Sequence, residues 1–257
     1  MGKIIAISNQ KGGVGKTTTS VNLSSALAQL GKRVCLVDID YQANATTNLG
    51  VNRSNLLHSS TDIFMSQAQA KESLLRLPKL GLDIIPAKFD LSNVEGALIG
   101  DDNKNYVLSI ALETIRDDYD YILIDCPPSL GLITTNALIA ADSVLIPVQC
   151  EFLAMDGLTQ LLNTIRFIQN KKQLSQKELI IEGVLLTMLD TRSNVGYEVI
   201  SEVKTYFREK VFKTIIPRNV KVAVSSSYGL PVTEFSPQSK GSQGYKSLAK
   251  ELVENNE

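Results

Sequence analysis

The chain of 257 residues carries 26 Lys/Arg against 27 Asp/Glu, a net charge of −1, so its bulk electrostatics announce no polyanionic partner. Its 44% hydrophobic content can fill the core of one large α/β domain or two small ones, and 21% charged residues suits an ordinary soluble surface. Three cysteines without a C-x-x-C pair, a single histidine (His58) and no apolar run of membrane-spanning length argue against thiol-based metal or redox work, zinc binding and transmembrane roles.

In chain order, residues 4–7 form an apolar run too short for a signal peptide, which reads as a buried strand. Gln10-Lys11-Gly12-Gly13-Val14-Gly15-Lys16-Thr17-Thr18 follows, and residues 19–30 then place Leu23, Leu27 and Leu30 at helical spacing. Residues 33–40 read as a second strand, and residues 82–86 as a third, ended by its proline. Residues 106–119 read as a helix, 121–125 and 143–148 as strands, and 152–171 as a long amphipathic helix. Residues 179–189 give a strand, 195–210 a helix, 211–216 a strand and 244–254 a closing helix. Loop composition concentrates at residues 52–61 and 225–241. Alternation of strands and helices predicts a single α/β domain over residues 1–257, a mostly parallel twisted sheet with helices on both faces. No repeat or linker divides it, and no N-terminal DNA-binding module is expected ahead of the first strand.

Strand, glycine loop and helix are the context of a phosphate-binding loop. Gly12, Gly13 and Gly15 let backbone N–H groups turn inward around phosphate oxygens, and the helix N-terminus adds partial positive charge. Lys16 brings a full charge to the β- and γ-phosphates, and the Thr17 hydroxyl can sit on Mg²⁺. Relative to G-x-x-x-x-G-K-[ST], Gln10 replaces the first glycine and Lys11 is an extra lysine. Ligands of open α/β sheets sit beyond the carboxyl ends of strands, and those ends collect Asp38, Asp40, Asp125 and Asp190. Asp125, between Ile122-Leu123-Ile124 and Cys126-Pro127-Pro128-Ser129, has the form of a Walker B aspartate that completes a magnesium site directly or through water. Alternation predicts that Asp38 and Asp40 share one side of their strand. At the end of the 211–216 strand, Pro217 offers a flat apolar surface and Asn219 an amide suited to adenine. Residues 191–250 hold ten Lys/Arg against four Asp/Glu, a local basic excess.

Lys11-Gly12-Gly13-Val14-Gly15-Lys16-Thr17-Thr18 resembles the deviant Walker A motif of the ParA/MinD ATPases. Asp38-Ile39-Asp40-Tyr41-Gln42-Ala43-Asn44-Ala45-Thr46 resembles the second motif D-x-D-P-Q-G-N-A-T of the ParA/Soj partition branch, with Tyr41 and Ala43 in place of proline and glycine. The resemblance spans essentially the whole chain, through Pro147-Val148-Gln149 and Pro217-Arg218-Asn219. It implies ATP and Mg²⁺ as cofactors, with the nucleotide on residues 11–18, Pro217 and Asn219, and the metal near Thr17, Asp38 and Asp125. It implies that Asp40 positions the attacking water, that Asp38 organises the magnesium-water shell and the switch, and that Lys11 reaches the partner subunit's phosphates in an ATP-dependent sandwich homodimer. It further implies non-specific double-stranded DNA binding through Arg192 and Lys221, then Lys240 and Lys246. A ParB/Spo0J-like partner would stimulate hydrolysis of a cytoplasmic, nucleoid-associated partition ATPase. The rival within the superfamily is a MinD-like membrane-positioning ATPase, which requires a basic amphipathic C-terminal helix. The last seven residues here hold three acids and no base.

Overall fold

The structure is a computed structural model that describes residues 1–151, 158–173 and 178–257. Its strands are β1 (Lys3–Ile7), β2 (Val34–Asp38), β3 (Leu75–Leu77), β4 (Leu82–Ile85), β5 (Tyr121–Asp125), β6 (Ser143–Gln149) and β7 (Ile180–Thr187). Its α-helices are α1 (Lys16–Gln29), α2 (Asn44–Asn48), α3 (Ser60–Phe64), α4 (Val94–Ala97), α5 (Val107–Glu113), α6 (Leu132–Ala140), α7 (Leu158–Gln173), α8 (Asn194–Phe207), α9 (Val220–Ser227), α10 (Val232–Phe235) and α11 (Lys240–Glu254). The seven strands form one sheet in the order β3-β4-β2-β5-β1-β6-β7, parallel except for β3, which pairs antiparallel with β4 at the edge.

Strand alternation divides the core into two. Ile4, Ala6, Cys35, Val37, Ile122 and Ile124 pack with Leu108 and Leu112 of α5, Leu138 of α6 and Leu161 and Ile165 of α7. Ile5, Ile7, Leu36, Leu123 and Leu145 face the other way, against Leu23 and Leu27 of α1 and Tyr245, Leu248 and Leu252 of α11. Strands buried on both faces read as continuous apolar runs, which is why they are visible in the sequence. Burial pushes all three free thiols up, Cys150 to about 11, so Cys35, Cys126 and Cys150 are inert core residues.

Several elements differ from these expectations. The 106–119 helix stops at Glu113 because the Thr114 hydroxyl donates back to the Ala111 carbonyl (2.7 Å) and the chain tightens into a 3₁₀ turn at Arg116–Asp118. Residues 211–216 form no strand. Only isolated bridges at Val211 and Pro217 join the β7 side, because the Glu251 carboxylate takes the amides of Lys213 (2.6 Å) and Thr214 (2.9 Å). The closing helix starts at Lys240 rather than residue 244, capped by Ser239. Its glycines allow close packing, since a Cβ on Gly241 would lie 2.3 Å from Val222 Cγ2. The second strand ends at Asp38, so strand alternation does not align Asp38 with Asp40. Of the 152–171 helix, residues 158–171 lie in α7, and 152–157 fall outside the described residues.

Candidate functional site at the carboxyl edge of the sheet

The chain leaves β1 through α1 toward β2 on one side, and leaves β5 through α6 toward β6 on the other. These crossovers diverge above the carboxyl ends of β1 and β5, where an open α/β sheet forms its crevice. Register sets Ile7 beside Asp125, and Asp125 beside Asp38.

The glycine loop spans residues 8–15 and is pinned from both flanks. Asn9 donates to the Pro147 carbonyl (2.7 Å) and accepts from the Lys11 amide (3.0 Å), while the Thr187 hydroxyl of β7 donates to the Val14 carbonyl (2.8 Å). Gly13 and Gly15 adopt φ of 78° and 92°, the left-handed region that a side chain disfavours. A Cβ at Gly15 would meet nothing closer than Met188 Cε at 3.5 Å, so conformation rather than space requires that glycine. α1 has no acidic residue in its first turn and no side-chain cap on Gly15, leaving its first N–H groups directed at the loop.

Lys16 opens α1 and is buried, its Nζ donating to the Lys11 carbonyl at 3.1 Å. Burial lowers its pKa, and the carboxylates of Asp125 and Asp40 pull it back up. Asp125 is fully buried. Its Oδ1 accepts from the Ser20 hydroxyl (2.8 Å), and its Oδ2 has no hydrogen-bond partner. Its pKa is raised by burial first and by the Asp38 carboxylate next, with the Ser20 and Thr17 hydroxyls partly offsetting both. Asp38 accepts the Asp40 amide on Oδ1 (3.1 Å) and both the amide (2.8 Å) and hydroxyl (2.7 Å) of Thr46 on Oδ2. Burial raises its pKa as well, against those hydrogen bonds. Asp40 is buried just beyond the strand, with Oδ1 accepting from the Gln42 amide (3.0 Å). Ala43, between Asp40 and α2, holds φ of 52°, the conformation that a glycine would take without strain.

Among the described residues no cluster of three acidic, cysteine or histidine ligands forms a ready-made metal cage. Mg²⁺ uses one or two carboxylates with phosphates and retained waters, so a single carboxylate beside the glycine loop can serve it. The buried, unpartnered Oδ2 of Asp125 is the oxygen that fits such an ion.

Pro217 and Asn219 lie next to this edge through the Leu189–Pro217 bridge, and Arg218 donates its amide to the Leu189 carbonyl (2.9 Å). Asn219 is also the N-cap of α9, its Oδ1 accepting from the Lys221 amide at 2.8 Å. Arg192 is 87% exposed at its side chain but binds Asp190 bidentately, at 2.9 and 2.7 Å. Lys221 is exposed at the start of α9, with no ion pair among the described residues, and Arg218 beside it contacts Glu151 at 3.5 Å. Sequence reasoning did not single out Ser20, Thr46 or Thr187, which hold Asp125, Asp38 and the glycine loop. Ser20 stands one helical turn after Lys16, a spacing that would have flagged it.

A mostly parallel α/β sheet with a glycine loop opening a helix at its topological switch point defines a P-loop protein. Residues 2–181 match the AAA domain family. The chain is 53% identical over 255 residues to the sporulation initiation inhibitor protein Soj of Bacillus subtilis, covering 99% of this chain and 100% of Soj. It is 45% identical over 253 residues to the chromosome partitioning protein ParA of Myxococcus xanthus, covering 98% and 88% of the two chains. A solved cobyrinic acid a,c-diamide synthase from Mycobacterium smegmatis with bound ADP and magnesium has a TM-score of 0.86 at 34% identity, over 99% of this chain and 95% of that one. The chain belongs to the Soj/ParA family of chromosome-partitioning P-loop ATPases. No helix among the described residues is long and apolar enough to cross a membrane.

Proposed function

We propose that the chain is a Mg²⁺-dependent ATPase whose ATP-bound homodimer holds DNA without sequence preference and whose hydrolysis releases it, moving a chromosome or plasmid. The observation that carries this reading is the buried Lys16 ammonium at the glycine loop, facing Asp125 and Asp40, in a chain aligned end to end with Soj.

Lys16 exchanges the Lys11 carbonyl for phosphate oxygens, and the amides of residues 12–18 close around the phosphates. Thr17 and Asp125 would hold Mg²⁺, which would supply neutralisation of the phosphate charge. Asp40, with Oδ1 committed to the Gln42 amide, offers Oδ2 to a water. Asp38 positions the switch through Thr46 rather than meeting the water itself. Lys11 acts across the dimer, and Pro217 and Asn219 flank the adenine. A ParB/Spo0J-like centromere-binding partner accelerates the chemical step.

Lys221 is the leading DNA contact, and Arg192 joins it only by exchanging Asp190 for a phosphate. A membrane role is disfavoured by α11. Tyr245, Leu248, Ala249 and Leu252 are buried against the sheet and α1, so the helix has no free apolar face to lay on lipid.

The deciding experiment is binding to a duplex of arbitrary sequence with no nucleotide, ADP or ATP, at two salt concentrations. Salt-sensitive binding seen only with ATP, kept in Asp40→Ala and lost in Lys16→Ala, is the expected result. Equal binding in all nucleotide states would overturn the proposal.

A further inference from the structure

The switch loop from Asp40 to Thr46 is fastened at its far end, where Thr46 Oγ1 accepts from the Ala87 amide (2.9 Å) while donating to Asp38. Its near end meets the same segment through rings. Tyr41 and Phe89 make an edge-to-face contact, with centroids 6.2 Å apart and planes at 78°, within the range of a favourable aromatic pair. The segment carrying Ala87 and Phe89 is itself braced on α3: the Ser60 amide donates to the Pro86 carbonyl (2.8 Å), the Thr61 hydroxyl to Asp90 (2.8 Å), and Lys88 faces Asp62 (3.9 Å). Leu91 and Val94, just beyond, are fully buried.

Phe89 is nonetheless 71% exposed, and Tyr41 39%. Burial alone gives no reason for two large rings there. Tyr41 immediately follows Asp40, occupies the place where the resembled motif carries proline, and precedes a strained Ala43. A proline would stiffen that loop through its own fixed φ. With tyrosine, stiffness has to come from an outside contact, and Phe89 is the aromatic partner in place.

We infer that Tyr41 and Phe89 form a clamp that fixes the loop around Asp40, which makes Phe89 a positioning residue for hydrolysis. The inference rests on the ATPase reading above and adds to it an element outside the resembled motifs. Losing the clamp lets Asp40 wander without disturbing the glycine loop, so turnover suffers and nucleotide affinity does not.

The test uses the full chain and compares ATP turnover, affinity for a fluorescent ATP analogue and melting temperature in Tyr41→Ala, Phe89→Ala and the double variant. Tyr41→Phe serves as the ring-retaining control. Each alanine variant is expected to lose about two- to tenfold in kcat, the range of one aromatic pair, with analogue affinity within twofold of wild type. The double variant should be no slower than the worse single one, and Tyr41→Phe should turn over normally. Unchanged kcat in Phe89→Ala, or losses that multiply in the double variant, would overturn the clamp. A deficit that vanishes at high protein concentration would place the rings in a subunit contact and also overturn it. Wild-type turnover no higher than Lys16→Ala would remove the ATPase reading itself, and the clamp with it.

Discussion

Asp38 and Asp125 end adjacent strands in register, buried, and in each the pKa is raised by burial first. A carboxylate with a raised folded pKa binds its proton more tightly in the native state than in the unfolded chain. Its contribution to stability is therefore fully present below the unfolded value of about 4 and is lost as pH climbs through the raised folded value. Lys16 shifts the other way. Burial penalises its charged form, and that penalty is relieved as pH rises from the lowered folded value toward 10.5, the opposite trend to the carboxylates. Asp125→Asn should stabilise the nucleotide-free protein at pH 7.5 by on the order of 1–2 kcal/mol, and by less at pH 5. Mg²⁺ with ATP should reverse the ranking, because the cation favours the ionised carboxylate that the variant lacks. Thermal melts at the two pH values, with and without Mg²⁺-ATP, read both effects. The Asp190–Arg192 pair gives a second outcome at this scale. Both oxygens of Asp190 hold the guanidinium, so Asp190→Asn releases a cation on an exposed loop. Non-specific duplex affinity with ATP should rise severalfold in low salt, and converge with wild type as screening shortens the Debye length. Fluorescence anisotropy against a labelled duplex measures it.

Elements pack here through backbones as much as through side chains. Gly50, after α2, and Gly229, after α9, have φ of 74° and 64°, and a Cβ on Gly229 would lie 2.7 Å from Gly50 Cα. The turns that follow α2 and α9, the helix that carries Lys221, thus touch main chain to main chain. Gly229→Ala must strain φ and push the backbones apart, at a cost of about 1–3 kcal/mol. A lowered melting midpoint is expected, whereas Gly12→Ala, with nothing within 4 Å of its Cβ, should fold as wild type and fail at nucleotide binding. Such contacts explain which parts of the molecule can be read from sequence. The glycine loop and the strand-end aspartates were legible, because buried parallel strands give unbroken apolar runs and the loop sits at a fixed offset from one of them. Residues 225–241 read as loop from their Ser, Gly and Pro content, yet they hold α10, where the Val232 amide donates to Asn22 (2.6 Å) of α1. That helix forms because tertiary partners satisfy it, and local composition carries no trace of them. The short edge strand β3, with two of its three residues exposed, escaped for a related reason: it has too little burial to leave a pattern. Asn219 reads from sequence as an adenine ligand, whereas its capping of α9 depends on the helix that starts at residue 220.

At the scale of the whole molecule, a net charge of −1 gives no attraction to DNA at long range, so the proposed DNA binding would have to be local and multivalent. Two of the basic residues in the 191–250 segment are already paired, Arg192 with Asp190 and Arg218 with Glu151. A small number of phosphate contacts gives weak binding, whereas two subunits on one duplex double the contacts and gain the effective concentration of the second. On the proposed reading, dimerisation would itself be the switch, with no need for the basic surface to rearrange. The salt dependence counts the contacts, since the slope of log affinity against log salt is about −0.9 per phosphate neutralised on B-form DNA. Lys221→Ala removes one contact per subunit and leaves the α9 cap intact, because Asn219 holds the backbone amide of residue 221 and not its side chain. In the ATP-bound dimer the slope should therefore become shallower by about 1.8, with ATP turnover in the absence of DNA unchanged. A titration series at four or five salt concentrations resolves a change of that size. A change of about 0.9 would instead mean that one subunit engages DNA at a time, and the multivalent account would fail there.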